Sequence, residues 1–119
     1  MTPTGTRATV LIRSQGCCER CGRSLANIPA SVHHRRPRGM GGTRDPEIDA
    51  PENQVALCGS GVSGCHGWVE SHREQAIEHG WLVPRRDPRH PRDVPVFIAG
   101  GWYRVEARLI VPVDLTPPF

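Results

Sequence analysis

The chain has 119 residues, of which thirteen are Gly, twelve Pro and only 37% hydrophobic, which excludes a large self-sufficient core and calls for a disulfide, a metal or a partner as a staple. Its net charge of +3 makes it mildly basic, and all fifteen basic residues are Arg, a side chain suited to bidentate phosphate contact; codon bias in a GC-rich genome is the other reading of this usage. No apolar run reaches the roughly 20 residues of a membrane span and residues 1–13 hold no secretory apolar run, so a soluble cytoplasmic protein is expected, in which paired cysteines hold metal more often than they form disulfides.

In chain order, residues 1–16 are polar apart from Ala8 to Ile12 and read as an N-terminal arm or short helix. Residues 17–82 form the expected central domain. Ile28 to His34 reads as a strand that runs into an Arg/Pro/Gly loop, Arg35 to Arg44, and Asn53 to Cys58 as a second strand after a turn. Gly67 to His79 reads as one helix: Trp68 or Val69, His72, Ala76 and Ile77 fall near one face at helical spacing, and Gly80 is a natural stop. Residues 83–119 are a Pro-rich connector and a tail. Val94 to Ala99 and Trp102 to Ile110 read as two strands joined by Gly100-Gly101, a hairpin that packs on the core or across a partner.

The five cysteines and six histidines give this chain its chemistry. Cys18 and Cys21, followed by Gly22, have the spacing of a zinc knuckle, in which one tight turn presents two sulfurs to a tetrahedral ion. Cys58 and Cys65 are spaced more widely, but the segment between them is nearly all Gly and Ser and can fold back. Four thiolates would close a structural zinc site and supply folding energy; independent thiols at 58 and 65 are the alternative. Cys17 is left as a spare thiol.

The ordered set His33-His34, Asn53 and Cys65-His66, bracketed by the cysteine pairs, resembles the HNH endonucleases of the zinc-containing branch. The runs HHRRPRGMGG, ENQVALCG and GCHGWVESH are similar to HNH proteins of tailed phages. The resemblance covers about residues 17–82. It implies a small α+β fold, a ββα-metal core with a four-cysteine zinc site, here with a C-terminal β-hairpin extension. It implies divalent-metal-dependent hydrolysis of DNA phosphodiester bonds, with products carrying a 5′-phosphate and a 3′-hydroxyl, and a possible partner in the terminase of a phage DNA-packaging complex.

By the same resemblance, His34 is the general base, His33 and His66 hold the catalytic ion, and Asn53 pins the loop between the strands. Mg²⁺ is the expected ion; two imidazoles also suit Mn²⁺, Ni²⁺ or Zn²⁺. His72, six residues after His66, either joins this site or is an ordinary helix residue. His33 and His34 could not both reach one site from within a regular strand, whose side chains alternate, so the pair is expected where the strand ends.

Arg35, Arg36, Arg38 and Arg44, set among Gly39, Gly41 and Gly42, are expected to lie along the nucleic-acid backbone; a solvated loop is the alternative. Arg85, Arg86, Arg89 and Arg92 form a second basic cluster. His79 and His90 read as surface residues. The rival reading of the whole chain is a non-catalytic zinc ribbon that binds nucleic acid or protein, which would need the cysteines and arginines but not His33, His34 and Asn53.

Overall fold

The computed structural model describes residues 4–37, 48–106 and 110–113. Among these residues two antiparallel sheets and three α-helices make a small α+β structure. Helix α1 (Thr4–Arg13) leads into the Cys18–Cys21 knuckle. Strands β1 (Ala30–His34) and β2 (Gln54–Cys58) pair from Ala30 opposite Cys58 to His34 opposite Gln54. Helices α2 (Gly64–Ser71) and α3 (Arg73–Glu78) follow, and then a three-stranded sheet of β3 (Val96–Ile98), β4 (Gly101–Val105) and β5 (Ile110–Pro112). No described helix is long and apolar enough to cross a membrane.

Every residue of β2 is buried, so the strand is covered on both faces. Val55, Leu57, Val69, Ala76, Trp81 and Leu82 form one cluster with Val96, Ile98 and Val105 of the tail. The tail sheet therefore packs on the core. Helix α1 is tied in as well: the fully buried Arg13 guanidinium makes a bidentate pair with Glu19 (2.6 and 3.0 Å) and donates to the carbonyls of Pro51, Gln54 and Glu106. A buried ion pair is tolerated where every donor is satisfied, and here Glu19 also accepts the Ala56 amide.

The elements differ from the sequence reading at the starts of both central strands, in the helix and in the tail. The first strand starts at Ala30, after Pro29, and Asn53 belongs to a 3-10 turn (Pro51–Asn53) ahead of β2. The expected single helix over 67–79 begins three residues earlier, so Cys65 and His66 lie in its first turn. It also breaks at His72, whose backbone (φ −126°, ψ 58°) leaves the helical region. The hairpin turns at Ala99-Gly100, both with positive φ, which matches the right-handed twist of a two-residue hairpin. The expected strand Trp102 to Ile110 is two strands, β4 and β5, the latter pairing back on the former.

Arg35 corrects the expected phosphate-contact set. Its side chain is fully buried and donates to four carbonyls: Gly80 (2.8 Å), Glu52 (2.9 Å), Pro91 (2.8 Å) and Val94 (2.7 Å). It knits the end of β1 to the helix stop and the connector, and it cannot reach a nucleic acid. Arg36 is half-buried and donates to the Asp87 and Arg89 carbonyls, bracing the connector from the same side. Arg38 and Arg44 lie outside the described residues.

Candidate metal centre

The Cys18, Cys21, Cys58 and Cys65 sulfurs all lie within 4.8 Å of one another. Zn–S bonds of about 2.3 Å put tetrahedral sulfurs about 3.8 Å apart, and Cys21 Sγ and Cys58 Sγ are separated by 4.0 Å. Backbone amides of Arg20 and Cys65 point at the sulfurs of Cys18 and Cys58, each at 3.4 Å, the arrangement that stabilises thiolates. The wide Cys58–Cys65 segment folds back as the sequence allows. Ser60 and Ser63 exchange backbone hydrogen bonds at 3.1 Å, and Gly59 takes φ +88° where a Cβ would lie 2.0 Å from the Ser63 carbonyl oxygen. These four cysteines can hold a structural metal such as zinc. Burial raises the Cys18 and Cys65 thiols, so a bound cation would displace protons from them. Cys17 is outside the cluster, its sulfur near the Gln15 carbonyl at 3.7 Å.

A second cluster lies beside the first. His33, His66 and Glu70 bring one ligand atom each within 4.8 Å of one another. Glu70 Oε1 is 3.6 Å from His33 Nδ1 and 3.8 Å from His66 Nε2. Divalent ions bound at about 2.0–2.2 Å hold neighbouring ligands about 3.0–3.6 Å apart, so the set needs only a slight contraction. The imidazoles are in the form a metal requires. Burial, helped by His66, pulls His33 down to about 3, against the polar backbone of Trp81. Burial also lowers His66, against the attraction of Glu70. Neutral imidazole offers a lone pair; His33 Nδ1 and His66 Nε2 are the nitrogens nearest Glu70, while the opposite nitrogens, His33 Nε2 and His66 Nδ1, are buried without a hydrogen bond among the described residues.

His33 and His34 line the same cavity, of about 280 Å³, with His66, Glu70 and Arg73. Their rings have different partners. His33 joins the ligand cluster, while His34 Nε2 lies 2.8 Å from Asp49 Oδ1. A carboxylate only accepts, so this contact places a hydrogen on Nε2, and in the neutral ring the lone pair is then on Nδ1. The pair occupies the last two positions of β1, which ends at His34 as expected. No family model, curated protein or solved structure matches this chain.

Asn53 is buried and pins the loop through backbone groups alone. Its Oδ1 accepts the Arg36 amide (2.7 Å), and its Nδ2 donates to the Ile48 (2.8 Å) and Arg36 (3.1 Å) carbonyls. It therefore ties the two ends of the segment between the strands. His72 lies outside this ligand cluster: it stacks flat on Trp68 at 4.4 Å, with Nδ1 at Ser71 and the Trp68 carbonyl. His79 is no plain surface residue, for it stacks on Trp81 at 4.8 Å. His90 caps a 3-10 turn by accepting the Arg92 amide.

Two site residues were missed in the sequence. Glu70 had a signal, since it follows His66 by four positions and a helix puts such a pair on one face. Asp49 had none, because it lies just beyond a Gly-rich loop with no periodicity to place it.

Proposed function

We propose that this chain is a divalent-metal-dependent endonuclease of the HNH kind that hydrolyses DNA phosphodiester bonds, on a ββα-metal core formed by β1, β2 and α2. The observation that carries the reading is the convergence of His33, His66 and Glu70 on one cavity that His34 also lines. A three-ligand site leaves positions open for phosphate and water. The ion such a site takes, Mg²⁺ by expectation, would polarise the phosphate and steady the departing oxygen.

The protein's own groups supply the rest. His34 Nδ1 takes the proton of the attacking water, and Asp49 on Nε2 holds the ring in that tautomer and steadies it once protonated. Asn53 fixes the backbone on either side of the intervening segment. The four-cysteine site holds the start of α2, where His66 follows Cys65 directly.

The test is nicking of supercoiled plasmid with Mg²⁺, Mn²⁺ or Ni²⁺. Wild type should nick, and His34→Ala and Glu70→Gln should lose activity by about two to four orders of magnitude, the usual size of a lost acid–base or ligand group. Absence of nicking with every ion, or full activity of His34→Ala, would return the chain to the zinc-ribbon reading. On the same proposal a phage terminase is the partner, and its addition should raise the rate.

A further inference from the structure

Two of the protein's cavities are each lined by more than one arginine, and they differ in their carboxylates. One, of about 280 Å³, is lined by Arg92 and Arg104 together with Glu52, Asp93 and Glu106, so its lining offers an anion no net positive charge. The other, of about 340 Å³, is lined by Arg73, Arg85 and Arg86. It shares Pro37, Arg73 and Leu82 with the cavity that holds His33 and His34, so the two form one trench. Glu70 is the sole carboxylate among the described residues lining that trench, and it belongs to the ligand cluster.

We infer that a polynucleotide backbone lies along this trench, with successive phosphates held by Arg73 and by Arg85 and Arg86, and that it delivers one phosphodiester to His34. The inference rests on the nuclease reading for the site at its end but assigns the strand's path independently. Arg73 stands where the cavities meet, 3.3 Å from Glu70 Oε2. It can turn to a phosphate when Glu70 is engaged by a cation. Arg85 and Arg86 are exposed, and Ile77, Val83 and Pro84 beside them give an apolar wall for sugar faces. Contacts to phosphates position a strand and carry no sequence information of their own. The track also replaces Arg35, whose donors are committed to four carbonyls inside the protein, and Arg36, whose Nη2 is held by the Asp87 and Arg89 carbonyls.

The experiment measures binding apart from cleavage. Fluorescence anisotropy of labelled duplex and single-stranded DNA, with RNA as a further arm, is recorded against salt with the zinc-loaded protein and no added Mg²⁺. Arg85→Ala/Arg86→Ala should weaken duplex binding about tenfold and flatten the slope of log K against log salt by about 1.8, the value for two lost phosphate contacts. Arg7→Ala/Arg104→Ala removes the same charge from exposed positions elsewhere and should stay within about twofold of wild type, because non-specific attraction depends on local contacts. Arg85→Lys/Arg86→Lys should restore the slope, and thermal melts check that each variant is folded.

Wild-type affinity and slope in Arg85→Ala/Arg86→Ala, equal losses in both alanine pairs, or no DNA binding by wild type would each overturn the trench. Nicking by a wild type whose trench variants bind normally would leave the nuclease reading standing without this track. Trench-dependent binding without nicking would leave the track standing without the nuclease.

Discussion

Arg35→Ala separates a structural arginine from a nucleic-acid contact. The substitution deletes hydrogen bonds to the Gly80, Glu52, Pro91 and Val94 carbonyls. The Pro91 carbonyl also accepts the Val94 amide at 3.0 Å, so three carbonyls set the loss. A buried acceptor left without a donor costs about 1–3 kcal/mol. Against this, the variant no longer buries a guanidinium, whose burial lowers it to about 9 with Arg13 reinforcing and Glu19 opposing. The lower end is therefore the expectation: about 3 kcal/mol of stability for the three carbonyls, or roughly 12 °C in Tm for a chain of this size. Circular dichroism melts of zinc-loaded wild type, Arg35→Ala and Arg35→Lys measure it. Lysine should also destabilise, since one ammonium cannot reproduce a planar fork spread over four acceptors. If Arg35→Ala melts within about 2 °C of wild type but loses DNA affinity, the side chain faces the nucleic acid and the burial argument fails.

Chelation of the four-cysteine site, or Cys21→Ser, should unfold the protein; an unchanged melt under either treatment would rule out a structural metal. Because burial raises the Cys18 and Cys65 thiols, zinc uptake should release protons and zinc affinity should fall on acidification, readable with a pH dye in weak buffer. His33 binds its proton less readily folded, at about 3, than unfolded, at 6.5, so the unfolded state holds more protons between those values and stability falls as pH drops through that window. At pH 5 the loss attributable to His33 is about 2 kcal/mol, and His33→Gln should lack it in urea titrations at pH 7 and pH 5; matching pH dependence in both proteins would refute it. Gly80→Ala should destabilise strongly, because Gly80 has φ +79° and a Cβ there would sit 1.9 Å from the Pro95 carbonyl oxygen; an unchanged urea midpoint would show that the helix stop is not held against the connector as described.

The cysteine spacings and the histidine pair were legible because their chemistry is local: a knuckle is a property of four residues, and the strand that carries His33 and His34 ends where Arg35-Arg36-Pro37 begins. The helix was legible in position but not in continuity, since the break at His72 is accompanied by stacking on Trp68, a contact no periodicity reveals. The arginines misled most. Composition marks a guanidinium as phosphate-seeking and cannot say whether backbone carbonyls reach it first. Arg35 meets carbonyls from residues 17 to 59 positions away, and Arg13 spans 93 positions to Glu106. Such partners exist only after the chain has folded. The tail was readable as strands by its turn, but its burial against Val55 and Leu57 is a tertiary fact.

The two clusters meet in one short piece of chain, and that has a mechanical consequence. Cys65 closes the four-sulfur site and His66, the next residue, enters the second cluster, with Glu70 one helical turn on. The Cys65 side is gripped again by Arg20, whose Nη1 donates to its sulfur at 3.2 Å while the guanidinium lies 4.0 Å over Trp68 and 4.8 Å from Trp81. A metal held by four sulfurs thus fixes the first turn of α2, and through it the aim of His66 and Glu70 toward His33 on the facing strand. Losing that metal should disperse the second cluster before the rest of the core gives way, because Val55, Leu57 and Val69 remain packed while the turn carrying His66 loses its anchor. Arg20→Gln is the milder version of the same perturbation. It removes the cation beside the sulfurs without removing a ligand, so zinc should leave faster under a competing chelator while the melt of the fully loaded protein changes little. Zinc release at the wild-type rate would mean that Arg20 packs between the tryptophans without holding the site.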